Sequence, residues 1–268
     1  MSRIVDGDCH ISPVPGSAPH ISTEELLRRM DRSGVDKALT WLQPPYERGL
    51  LPEGNAYVAA AMHAHPDRIL GFGWADPHLG LEAALDAVDR CLHDHGFAGV
   101  KLNGAQNEFV IDDSVLVMPV VEKIAAAGAI LALHIGGDSP ERTHPWRAGN
   151  IARRYPDLRM LIVHIGGAAF HDLSRAAIEI ARDYPNMTMI GSAVRSGAVL
   201  NAIRALGADR VCFGSDTPFE LMHVELARYR ALLEGEISPE EIAQVLGGNL
   251  LRMLRPGDND SLPVTSAH

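Results

Sequence analysis

The chain reads as short apolar runs separated by stretches with helical spacing. The runs rich in β-branched residues fall at 3–8, 37–42, 69–75, 98–103, 129–134, 159–164, 187–193 and 210–215. Several are almost uninterrupted, such as Ile130-Leu131-Ala132-Leu133 and Met160-Leu161-Ile162-Val163. That is the pattern of parallel strands covered on both faces. Between them, apolar residues recur at helical intervals over 23–33, 53–64, 79–95, 114–127, 146–155, 172–184, 197–206 and 219–233. Strand and helix thus alternate through the chain, and this alternation predicts a (β/α)8 TIM barrel of the α/β class, which takes about 250 residues. A doubly wound open sheet is the competing reading. It usually carries a glycine-rich turn after its first strand, where this chain has Asp6-Gly7-Asp8-Cys9-His10.

Element boundaries have local causes. Ser22 precedes Glu24 and Glu25, an N-cap followed by acids at the positive end of a helix dipole. Ser238-Pro239-Glu240-Glu241 opens a further helix, and the extra C-terminal helices from there to Leu254 are expected to pack across the barrel. The expected organisation is one domain over 1–255. A polar tail over 256–268 is expected to be disordered.

Composition narrows the functional classes. The 268 residues are 46% apolar and 22% charged, which suits a globular fold. A net charge of −10 and an aromatic content of 5% argue against nucleic acid as a partner. No apolar run nears the ~20 residues of a membrane span, and the N-terminus lacks a secretory pattern. Cys9, Cys91 and Cys212 form no CxxC pair, so a reduced, cytoplasmic protein is expected. A small molecule is the expected partner, and the outer helices would permit a homodimer.

Polar groups recur where strands end. The first strand ends in Asp6-x-Asp8-x-His10, and strand alternation puts all three on one face. Later strands end in His134-Ile135-Gly136-Gly137, His164-Ile165-Gly166-Gly167 and Gly214-Ser215-Asp216-Thr217-Pro218. In a barrel these ends converge on one mouth. Carboxylates and imidazoles gathered there would suit zinc, iron or manganese.

These segments, together with Gly99-Val100-Lys101-Leu102 and Gly248-Asn249-Leu250-Leu251-Arg252, resemble the amidohydrolase superfamily. The resemblance is to the branch that includes aminocarboxymuconate-semialdehyde decarboxylase, and it runs from residue 3 to about 255. It implies that His10, His134 and Asp216 hold one divalent metal, with His164 as the acid/base residue. The usual strand-one pattern is His-x-His; here Asp8 stands at its first position and is expected to be a further ligand. Zinc is the first expectation and manganese the second, since an oxygen donor favours harder ions.

A bound dication would bring its water toward a pKa near 7, with Asp216 or His164 taking the proton. The leading expectation is therefore a metal-dependent hydrolase of a small carboxylated ester, lactone or amide. A non-oxidative decarboxylase of an unsaturated or aromatic acid is the alternative, because the same residues serve both reactions. Lys101 and Arg195 are candidate grips for a substrate carboxylate, and Trp41 and Trp74 candidate pocket walls.

Overall fold

The computed structural model describes residues 3–14, 20–168 and 170–254. The apolar runs form parallel strands β1 (Val5–Ile11), β2 (Lys37–Leu42), β3 (Ile69–Gly71), β4 (Gly73–Trp74), β5 (Gly99–Leu102), β6 (Ile130–Gly136), β7 (Met160–Ala168), β8 (Met187–Ile190) and β9 (Val211–Cys212). β3 and β4 are one predicted strand interrupted at Phe72, so the barrel has its eight staves. β1–β2–β3 and β4 through β9 each hydrogen-bond in sequence order. The two parts are joined where the Phe72 amide donates to the Thr40 carbonyl at 2.9 Å. The ring closes where Gly7 donates to Phe213 at 2.9 Å and His10 to Thr217 at 2.8 Å. The tail over 256–268 lies outside the described residues.

The helices are α1 (Thr23–Ser33), α2 (Leu51–Ala64), α3 (Leu81–Asp89), α4 (Met118–Ala126), α5 (Pro140–Thr143), α6 (Pro145–Arg154), α7 (His171–Asp183), α8 (Ser196–Leu206), α9 (Met222–Leu233), α10 (Pro239–Ala243) and α11 (Asn249–Met253). Ser22 caps α1 through the Glu25 amide, and Gly34 ends it in the left-handed region at φ 71°. Ser238 and Glu241 form a reciprocal capping box on α10. Two expected helices start late: residues 114–117 and 219–221 are turns and loop before α4 and α9.

Strand alternation builds two apolar layers. Leu39 and Trp41, Phe72 and Trp74, Ile130 and Ala132, Leu161 and Val163 form a buried cluster inside the barrel. Their neighbours Ala38, Leu131, Leu133, Met160 and Ile162 pack outward in the larger cluster beneath the helices. Leu250 of α11 joins the interior cluster beside Val5, so the C-terminal helices cover the end where the strands begin. The opposite end, where the strands finish, stays open.

Candidate metal centre

At the open end the alternation is deliberately broken. The register of β1 slips between Asp6 and Cys9. Val5 therefore belongs to the interior cluster and Cys9 to the outer one. Asp8 and His10 reach the mouth, but Asp6 does not share their face. Its Oδ1 instead accepts the amides of Asp8 at 3.1 Å and Ser215 at 2.8 Å. On β7, Val163 faces inward and Ile165 outward, and His164 would ordinarily follow the outward set. His164 and Ile165 adopt φ 62° and 47°, and this turn carries the His164 ring into the cavity. Asp216 sits at φ 60°. Left-handed conformations at non-glycine residues cost on the order of 1–3 kcal/mol each and cluster where function holds them. The glycines after His164 give close packing: a Cβ on Gly167 would lie 2.0 Å from Ser174 Oγ.

Among the described residues, Asp8, His10 and Asp216 form the one group able to hold a metal ion, with donor atoms within 4.8 Å of one another. His10 Nε2 is 3.3 Å from Asp8 Oδ1 and 3.5 Å from Asp216 Oδ1. His10 Nδ1 donates to the Leu42 carbonyl at 3.1 Å, leaving Nε2 as the lone-pair nitrogen. The Trp41 indole N–H takes this lone pair at 3.1 Å, and a cation would compete for it. Asp8 Oδ1 is buried without a hydrogen-bond partner. Two carboxylates and an imidazole lone pair converge here, and the Lys101 ammonium, 3.9 Å from Asp8 Oδ1, offsets only one of the two negative charges while making no hydrogen bond to that oxygen. The donor set therefore fits a divalent cation.

Two imidazoles stand beside this group. His164 Nδ1 donates to the Ser192 carbonyl at 3.1 Å, and its Nε2 meets His134 Nδ1 at 3.2 Å. His134 Nε2 in turn faces Asp138 at 3.0 Å. Ser192 Oγ donates to Asp8 Oδ2 at 2.5 Å, tying the pair to the metal-type group. His134 is therefore placed one step away from the Asp8, His10 and Asp216 cluster, engaged on both nitrogens, rather than within it.

The electrostatics follow from this packing. Burial alone would raise the Asp8 carboxyl, but Lys101, His10 and His164 outweigh it and hold the group well below the usual carboxylate range. Burial pulls His164 down, with Asp216 opposing. Burial and Lys101 oppose charge on His10, yet Asp216 and Asp8 raise it. Lys101 is lowered to about 8 by burial, against the pull of Asp8 and Asp216. Asp6, buried behind the site, is pushed up to about 7 by desolvation.

The residues open on a cavity of 390 Å³, walled by His10, Lys101, His134, His164, Asp216 and Phe219 among others. Trp41 and Trp74 do not line it. Both are fully buried, with Trp41 beneath His10 and Lys101 and Trp74 bonded to Asn107 Oδ1 at 3.0 Å. Arg195 is also elsewhere. It stands at the start of α8 and lines a groove of 550 Å³ with residues of α7, including Arg175 and Arg182. Its side chain joins that groove between α7 and α8 and is not among the residues walling the mouth cavity. Ser192 and Asp138 belong to the site without being expected from the sequence, as does Phe219, whose ring meets His10 edge-on at 5.5 Å. Ser192 follows β8 as the other site residues follow their strands, so the same strand-end rule would have found it.

A barrel with carboxylates and imidazoles gathered at its C-terminal mouth defines a metal-dependent enzyme class. The chain belongs to the amidohydrolase family, whose profile matches residues 6–255. Its relatives include gamma-resorcylate decarboxylase from Polaromonas sp., 23% identical over 253 residues, covering 74% of this chain and 77% of that protein. Similar folds include 2,6-dihydroxybenzoate decarboxylase in complex with 2,6-dihydroxybenzoate, with a TM-score of 0.77, 19% identity and coverage of 95% and 99% of the two chains. A dihydroxybenzoic acid decarboxylase from Polaromonas sp., with bound manganese and the inhibitor 2-nitroresorcinol, has a TM-score of 0.75 at 19% identity, covering 95% of this chain and 97% of that one. These relatives correct the leading expectation of hydrolysis: they are carboxy-lyases. The residue set could not separate the two reactions, because a cation flanked by acid/base groups is common to both.

Proposed function

We propose that the protein is a metal-dependent, non-oxidative decarboxylase of a small hydroxylated aromatic acid. The observation that carries this reading is the unpartnered Asp8 Oδ1 beside His10 Nε2 and Asp216, in a cavity of a fold shared with aromatic acid decarboxylases. Asp8, His10 and Asp216 are the ligands. Two carboxylates and one imidazole favour a harder ion, which places manganese ahead of zinc. The cation would supply positive charge that orients the acid and stabilises its electron-rich ring.

The chain's own groups handle the proton. The carboxyl–ring bond breaks, its electron pair stays on the ring carbon, and that carbon takes one proton as carbon dioxide leaves. The His134–His164 pair faces the cavity and holds a proton between Nδ1 and Nε2 at 3.2 Å. Asp138, half exposed, links that pair to solvent for reloading. Ser192 keeps Asp8 oriented, and Phe219 walls the cavity with an apolar face.

The test is carbon dioxide release from a panel of hydroxybenzoates, including 2,6-dihydroxybenzoate, by manganese-loaded protein. Release from at least one acid, abolished by chelation and restored by manganese, is expected. No release from any member, or release unaffected by chelation, contradicts the proposal.

A further inference from the structure

We propose that Lys101 is the residue that reads the negative charge of the substrate, gripping one anionic oxygen of the aromatic acid. Lys101 lies on β5 and is 1% exposed. Its Nζ stacks 3.7 Å from the Trp41 ring centroid and lies 5.2 Å from that of Trp74. These rings hold the ammonium through their faces and offer it no lone-pair acceptor. Its nearest carboxylate oxygen, Asp8 Oδ1, is 3.9 Å away, too far for a hydrogen bond. Among the described residues no acceptor meets the Nζ.

A lysine buried only to balance Asp8 would point its three donors at acceptors, since unmet donors of a buried charge are costly. Here the side chain borders the 390 Å³ cavity instead, and Lys101 is the one lysine or arginine among the described residues lining it. The ammonium and the cation site both adjoin Asp8 Oδ1. An acid carrying a carboxylate next to a ring oxygen can therefore place one oxygen at each. The shared chemistry is an oxyanion, supplied by either the carboxylate or the neighbouring phenolic group. The inference rests on the aromatic-acid reading of the site, but it concerns binding and needs no turnover.

The chain has three lysines, Lys37, Lys101 and Lys123, of which Lys101 alone is fully buried. This allows a test on the unmutated protein. With lysine labelled with carbon-13 at Cε and the site loaded with diamagnetic zinc, titration with benzoate and separately with 2-hydroxybenzamide should shift the buried lysine signal. Benzoate alone doing so assigns the carboxylate, and 2-hydroxybenzamide alone the ring oxygen. In parallel, Lys101→Met should weaken the effective ligand at least about tenfold, as expected for a lost charged hydrogen bond, with one metal still bound. An unmoved lysine signal with both ligands bound overturns the proposal. So does a Lys101→Met protein that binds both ligands like the parent while its metal affinity or stability changes.

Discussion

At the residue scale, proximity and charge set the roles. His164 is buried, its Nδ1 is committed to a backbone carbonyl, and its remaining nitrogen joins His134 at the cavity wall. His164→Asn is expected to lower kcat by about 10²- to 10⁴-fold, the range of general acid–base groups. Manganese stoichiometry should stay at one, because His164 is not among the three clustered donors proposed to hold the ion. Steady-state kinetics with metal analysis checks both, and loss of the metal in this variant would reassign His164 as a ligand. Asp6 makes a stability prediction. Its folded pKa of about 7 lies above the ordinary 3.8, so the folded state holds a proton that the unfolded state releases. Stability is then greatest below about pH 4 as far as this group is concerned, and falls as pH rises toward 7. The full effect is at most about 4 kcal/mol. Asp6→Asn should flatten that decline in urea titrations of metal-free protein between pH 4 and 8. Equal slopes for parent and variant would contradict the burial cost assigned here.

Legibility also differs among residues. Asp8, His10 and Asp216 were visible because each ends an apolar run, and the barrel brings such ends together. The separation of Asp6 from Asp8 was not visible, because a one-residue slip in β1 leaves no mark on an alternating pattern. Lys101 was visible as a charge inside a strand, but its aromatic cradle depends on Trp41 and Trp74 from two other staves. Arg195 and its outward-facing groove show the limit of placing a side chain by chain order alone.

At the element scale, strands were easier to read than helix starts. Apolar runs on both faces mark buried strands strongly, and all eight staves appear where expected. α9 starts later than its apolar spacing predicts, because Phe219 and Leu221 carry apolar side chains yet lie exposed ahead of the helix, Phe219 at the mouth. Apolar spacing cannot distinguish a cavity wall from a helix face. The C-terminal helices matter for the barrel as a whole. Asn249, 2% exposed, donates to the carbonyls of Ala208 at 2.7 Å and Val211 at 2.8 Å, pinning α11 to the approach to β9. Asn249→Ala strands both carbonyls away from water and should cost about 2–3 kcal/mol in chemical denaturation. A loss under about 0.5 kcal/mol would mean that the helices are held by Leu250 and its apolar neighbours instead.

At the scale of the whole molecule, one end of the barrel is sealed by α11 and the other gathers the ionisable groups. No described helix is long and apolar enough to cross a membrane. The central claim is that this mouth replaces a carboxyl group by a proton under the control of one divalent cation. The most direct measurement is turnover of 2,6-dihydroxybenzoate in D₂O by the manganese-loaded protein, with carbon dioxide and ring deuterium counted together. The account predicts one carbon dioxide per product and one deuterium at the carbon that carried the carboxyl, both lost in Asp216→Asn together with the metal. Product formed without deuterium at that carbon, or undiminished turnover by metal-free Asp216→Asn, would contradict it.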